Sequence, residues 1–227
     1  MKHQSDGRPR PHRLRELGSF DLTVKERHLQ FRTQPGVFSQ YGPDEGTLLL
    51  LDVILPRIRP HETVLDLGTG IGIIGIAVAG LLTRGEVWMV DADVRAVRLA
   101  QENVRLNSLD NAHVLLSDIT MDLPPKFRCD LVLSNPPTHS GKEVLQSFVG
   151  EAYDVLRPGG SLFVVVNRLL SIRDMMSEVF GNVEQVERRK GFIILRSEKE
   201  RLRPEQRRGE RDTMTDTGNE RRGGARP

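Results

Sequence analysis

The sequence predicts an α/β fold: a mostly parallel sheet with helices on both faces that ends in an antiparallel hairpin. Three observations predict it. Short Val/Leu-rich runs alternate with helical patterns between residues 20 and 198, a glycine-rich turn follows the first buried run, and the last two strands are separated by only a couple of polar residues. Parallel strands covered on both faces read as near-continuous apolar runs. A link as short as the last one forces its strands antiparallel, because a parallel pair needs a crossover.

Taken in order, a strand-like segment from Leu22 to Thr33 leads through QPGVFSQYGPDEG into a helix from about Thr47, read as its cap, to Ile58, closed by Pro60. Thr63–Leu67 is a strand, followed by the glycine turn and a helix to about Leu82. Strand Glu86–Asp91 and a helix from its N-cap Asp93 to about Asn107 complete a βαβα unit. The second half holds strands His113–Ser117 and Asp130–Ser134, a helix from Lys142 to Leu156 stopped by RPGG, and strand Ser161–Asn167. Ser171 and Asp174 resemble a capping box that opens a helix to Phe180, with Gly181 as its stop. Val183–Arg188 and Gly191–Leu195 form the closing hairpin.

The 227 residues suit one domain. The net charge of +2 is unevenly spread: residues 1–17 carry +3, residues 199–227 carry +3, and residues 18–198 carry −4. We therefore expect a basic flexible arm (1–17), a folded domain (18–198) and a disordered basic tail (199–227), which has too few apolar residues to offset the entropy of ordering. Such extensions suit either RNA phosphates or plain solvation. The longest apolar stretch, Ile71 to Leu82, is short of the ~20 residues that span a bilayer, so no membrane association is expected. The basic start lacks the apolar core of a secretory signal, and the single Cys129 has no internal partner; a reducing cytoplasm fits both. No metal-ligating pattern stands out, and oligomeric state is not legible.

The segment VLDLGTGIGIIG places Gly68, Gly70 and Gly72 between a buried strand and a helix, where backbone approaches a ligand closely. Gly70 to Gly75 also satisfies G-x-G-x-x-G, with Asp91 ending the next strand where a dinucleotide fold keeps its ribose-binding acid, so a dehydrogenase is one reading. A carboxylate at Asp66 would repel a pyrophosphate but suits an amino-acid ammonium such as that of S-adenosylmethionine. On that second reading Asp91 accepts from the ribose hydroxyls and Asp118 from the adenine amine. Asp66, Asp91 and Asp118 stand at successive strand ends, where ligands bind in open α/β sheets.

Ser134-Asn135-Pro136-Pro137 follows the apolar strand DLVLS. Two prolines fix the backbone and donate nothing, leaving the Asn135 side-chain oxygen and the Pro136 carbonyl as paired acceptors for a planar NH2 group. Such a grip aims a delocalised, weakly nucleophilic nitrogen at an electrophilic methyl by positioning and preorganisation.

In this order, DLGTGIG, VDAD, SDI and SNPP resemble a class I S-adenosylmethionine-dependent methyltransferase of Rossmann-like fold with a seven-stranded sheet. TQPGVFSQYGPDEGT and NPPTHSGKEV narrow the resemblance to the methyltransferase small domain family, which includes 16S rRNA guanine-N2 methyltransferases and single-domain archaeal relatives. Over about residues 20–197 the resemblance implies that S-adenosylmethionine is the cofactor. Asp66, Gly68, Gly70, Gly72, Asp91, Asp118 and Asn135 would hold it, and Asn135, Pro136 and Pro137 would form the catalytic segment. Gly36, Val37, Phe38 and Ser39 would form a flap, with Phe38 and His139 meeting the substrate. The implied partner is RNA, in particular rRNA or the small ribosomal subunit.

The chain departs from that pattern at Thr138, where the rRNA guanine enzymes carry an aromatic residue that stacks on a flipped base. The bacterial enzymes also carry a further N-terminal domain, whereas a basic arm stands before residue 18 here. Relatives with the same tetrapeptide methylate adenine N6 or a glutamine amide, so these acceptors remain alternatives to guanine, as does a noncatalytic RNA-binding role.

Overall fold

The computed structural model describes residues 18–37, 39, 41–136, 141–167 and 172–200. Phe38, Pro137, Thr138, His139, Ser171 and both expected basic extensions except Lys199 and Glu200 lie outside these residues.

The chain opens with β1 (Gly18–Val24) and β2 (Arg27–Thr33), an antiparallel pair, where a single strand-like segment is expected. The turn residues are Lys25 and Glu26, and Lys25 takes a φ of +52°. A turn that needs positive φ but lacks Gly or Asn gives no sequence signal. Next, α1 spans Glu45–Ile54. It is capped by Asp44, whose carboxylate accepts from Thr47 N at 2.7 Å, so Thr47 is not the cap. It stops before Pro56, not Pro60, since the residue preceding a proline is pushed out of the helical region.

The main sheet begins with β3 (Thr63–Leu67), α2 (Ile73–Ala79), β4 (Glu86–Asp91), α3 (Val94–Leu106) and β5 (Ala112–Leu116). Three-residue shortening of α2 relative to expectation follows from Gly80 at its C-cap. The remaining elements are β6 (Cys129–Ser134), α4 (Lys142–Val155), β7 (Leu156–Val166), α5 (Ile172–Phe180), β8 (Glu184–Arg189) and β9 (Phe192–Glu198). β7 starts as soon as α4 ends, and the RPGG segment lies inside it as an irregularity, between the pairs Cys129↔Leu156 and Leu131↔Ser161.

The seven strands lie in the order β5-β4-β3-β6-β7-β9-β8, parallel from β5 through β7, with β9 antiparallel to both its neighbours. The β8–β9 turn has positive φ at both Lys190 and Gly191, as a two-residue hairpin link requires. Lys199, the first residue of the expected tail, is still paired to the strands: its N–H donates to Gly160 O and its C=O accepts from Gly159 N.

Alternate strand residues feed two cores. Val64, Met89, Leu133 and Val165 pack with α1, α2 and α3, while Leu65, Val90, Val132 and Val164 pack with α4 and α5. The hairpin β1–β2 leans on α3, where Asn103 holds Arg32 N, Arg32 O and Ile71 O, and Asn107 holds Gln30 N and Gln30 O. Because the chain winds from β3 toward β5 and then returns to β6, the switch point falls between β3 and β6. Their carboxyl ends are tied by Ser134 Oγ donating to Leu67 O at 2.6 Å. Among the described residues no helix is long and apolar enough to cross a membrane.

Candidate active site

A cleft of about 330 Å³ opens over these carboxyl ends. Gly68, Gly70, Asp91, Asp118, Asn135 and Pro136, all expected at the site, line it. The loop after β3 is fixed by its own backbone. Gly68 N and Thr69 N both donate to Val90 O, at 3.0 and 2.9 Å, and Gly70 N donates to the Asp91 carboxylate at 2.8 Å. Gly68 and Gly70 hold φ of +75° and +57°, and among the described residues no atom beyond the adjacent ones lies within 4 Å of where a Cβ would stand on either. Glycine is thus required there by conformation, and the space over the loop is left open for a ligand.

Asp91 accepts Gly70 N on Oδ2 and Asp93 N on Oδ1, both at 2.8 Å. Each oxygen keeps a second lone pair for hydroxyl donors. Asp93 also borders the cleft, but its carboxylate is engaged by Arg95 N and the Arg95 guanidinium. Asp118 is exposed, on a loop anchored to α4 by Thr120, whose N–H and hydroxyl both donate to the Glu151 carboxylate at 2.9 and 2.6 Å.

Asp66 and Gly72 sit differently: neither is among the residues that line the cleft. Asp66 is fully buried; its Oδ2 accepts from Thr69 Oγ1 at 2.5 Å and Gly75 N at 2.8 Å, while Oδ1 has no hydrogen-bond partner among the described residues. Burial pushes its carboxyl up to about 7 against the lowering effect of those two bonds, with the Asp91 charge adding to the rise. Gly72 caps α2 at a φ of +94°, where a Cβ would stand 2.8 Å from the Met89 methyl.

Asn135 is half-buried and held from across the sheet. Its Nδ2 donates to both oxygens of Asp44, at 3.1 and 3.2 Å, and to Thr47 Oγ1 at 3.0 Å. A carboxylate can only accept, so the amide must present its NH2 on this side, which leaves Oδ1 free of that contact. Pro136 beside it is buried and has no N–H to offer. Sequence reasoning missed Asp44 as a site residue. The signal was present, in the P-D-E-G-T segment that reads as an N-cap before an apolar run, but the reach to Asn135 spans 91 positions. It also missed Val144, Leu145 and Phe148 of α4, which form an apolar wall of the cleft together with Ile119. The donor and acceptor set fits S-adenosylmethionine: an open glycine loop, an acid with spare lone pairs at the end of β4, and an apolar wall beside Asp118.

Residues 28–196 match the family model described as the methyltransferase small domain. The chain is 28% identical over 201 residues to the uncharacterized protein YbxB of Bacillus subtilis, covering 87% of this chain and 98% of YbxB. It is 38% identical over 169 residues to the ribosomal RNA large subunit methyltransferase G of Streptomyces avermitilis, covering 72% of this chain and 44% of that protein. Among solved structures it resembles the 16S rRNA N2 methyltransferase RsmC of T. thermophilus in complex with AdoMet and guanosine, with 32% identity and a TM-score of 0.74. That match covers 81% of this chain and 50% of the other. The chain thus spans nearly all of YbxB but about half the length of the two rRNA enzymes.

Proposed function

From the premise that this chain belongs to the methyltransferase small domain family, we propose that it transfers a methyl group to the exocyclic N2 amine of guanine in ribosomal RNA. S-adenosylmethionine is the cofactor of that family, which decides against the dinucleotide reading of the glycine loop. The observation that carries the proposal is the fixed amide of Asn135, whose NH2 is committed to Asp44 and Thr47.

With that amide fixed, Asn135 Oδ1 and the Pro136 carbonyl accept the two N–H bonds of a planar amine and orient its lone pair. Asp91 takes the ribose hydroxyls, Gly68 and Gly70 give backbone room beside the methionine portion, and Asp118 takes the adenine amine. Ile119, Leu145 and Phe148 supply the apolar surface against a flat base. Asp66, behind the loop, sets its shape through Thr69 and Gly75 and adds a negative charge near the cofactor's ammonium when ionised. The cofactor supplies an electrophilic methyl on a sulfonium. No strong base stands among these groups, and none is needed if the acceptor proton leaves to water after the methyl has arrived.

Guanine in RNA is favoured because the T. thermophilus structure, at 32% identity, is a 16S rRNA N2 methyltransferase in complex with guanosine, and because the chain is also similar to an rRNA large subunit methyltransferase G. The acceptor within RNA, the expected cytoplasmic location and the use of the basic residues 1–17 and 199–227 belong to the same proposal. The test is transfer of labelled methyl to free rRNA, small and large ribosomal subunits, tRNA and a release factor, followed by digestion. N2-methylguanosine from rRNA is the expected product. Label only in N6-methyladenosine or in a protein glutamine would move the acceptor accordingly.

A further inference from the structure

We propose that a recess at the rim of the cleft, between the start of β1, the end of β2 and the turn carrying Tyr41, binds a nucleobase next to the one presented to Asn135. This rests on the reading of the chain as an RNA methyltransferase. The position follows from how β2 runs along α3. Gln30 N bonds Asn107 and Arg32 N bonds Asn103, so the strand climbs toward the start of that helix, and the chain then reaches Val37, which lines the cleft with Ala96. Three residues after Tyr41 comes Asp44, which holds Asn135. The recess, about 320 Å³, shares no lining residue with the cleft, so a base inside it is a second base.

Two features of the recess suit a base. Tyr41 is 93% exposed, so its ring buries nothing in the fold and offers a flat face on which any base can stack. Thr33 is only 2% exposed, and its buried Oγ1 has no hydrogen-bond partner among the described residues. A hydroxyl left unsatisfied in the interior costs stability, and a base edge reaching it would satisfy it. Gln34, also on the lining, adds a side-chain amide able to donate and accept.

The test is steady-state methyl transfer to rRNA by the wild type, Tyr41→Phe, Tyr41→Ala and Thr33→Val, with S-adenosylmethionine affinity measured alongside. Tyr41→Ala is expected to raise KM for RNA about tenfold, Tyr41→Phe to stay near the wild type, and cofactor affinity to hold in all four. Thr33→Val is expected to raise KM for RNA a few-fold without lowering Tm, because it removes a hydroxyl that nothing among the described residues satisfies. RNA labelling with an unchanged KM in Tyr41→Ala would overturn the subsite and leave the proposed acceptor standing. Absence of RNA labelling by the wild type, with label in protein instead, would overturn both.

Discussion

The side-chain amide of Asn135 donates to both carboxylate oxygens of Asp44, at 3.1 and 3.2 Å, so the residue that caps α1 also sets the orientation of the residue that follows β6. One carboxylate therefore serves two structural ends: it receives Thr47 N at the helix start and keeps the Asn135 oxygen from turning away.

The two roles of Asp44 are separable. Asp44→Asn keeps a good N-cap, whereas Asp44→Ala loses it at a cost of about 0.5–2 kcal/mol. Asp44→Asn is expected to hold Tm near the wild type while kcat drops, because the charged acceptor that selects the amide orientation is gone. Asp44→Ala should lose both, and S-adenosylmethionine affinity should stay within a few-fold in each. Paired kcat, KM and thermal-unfolding measurements check this, and a kcat that follows Tm across the two variants would reduce Asp44 to a cap.

Asp91 holds two backbone N–H groups and faces the cleft, so Asp91→Ala should weaken cofactor binding. In calorimetry the affinity for S-adenosylmethionine should fall about tenfold or more, the loss of a charged hydrogen-bonding partner being worth about 1.5–3 kcal/mol. The thermal shift caused by the cofactor should shrink with it, and NAD should shift neither protein.

Asp66 makes a pH prediction. Its folded-state value of about 7 lies above the ordinary 3.8, so between these limits the native state binds more protons than the unfolded chain. The stability this contributes is full below about pH 4 and is lost as pH rises through 7. Asp66→Asn does not titrate, so its stability relative to the wild type should rise between pH 4 and 7, by at most roughly 4 kcal/mol, and level off above. Urea unfolding of both proteins across that range checks the sign; a difference that stays flat would contradict the burial argument.

Gly68 and Gly75 should fail in different ways. A Cβ on Gly75 would stand 2.6 Å from Met89 Cγ and 3.0 Å from the Asp66 carboxylate, so Gly75→Ala should destabilise by about 1–3 kcal/mol. Gly68 has open space but a φ of +75°, so Gly68→Ala should cost about 1–2 kcal/mol of backbone strain and, in addition, cofactor affinity. Thermal unfolding with and without S-adenosylmethionine separates the two.

Much of this was readable in the residues, for local reasons. β3 and β4 match their expected limits because short apolar segments are closed by the glycine turn at Gly68 in one case and by Asp91 ahead of the Asp93 cap in the other. Asp93 caps α3 as its type and position suggest. The β1–β2 turn was hidden because Lys25 adopts positive φ without a turn-forming residue type. At α1 the sequence suggests Pro60 as the stop, whereas Pro56, four residues earlier, acts first. The glycine loop and Asn-Pro-Pro were legible as local motifs, whereas the Asp44–Asn135 bond and the recess under Tyr41 exist only after distant segments meet, and periodicity carries no trace of them.

The central claim is that the fixed side chain of Asn135 orients the acceptor nitrogen. Single-turnover methyl transfer from labelled S-adenosylmethionine to rRNA, by the wild type and Asn135→Ala at saturating cofactor, tests it most directly. The account predicts N2-methylguanosine from the wild type and a rate lower by about 10²-fold in Asn135→Ala, with the protein still folded and still binding the cofactor. Equal rates from the two proteins would contradict it.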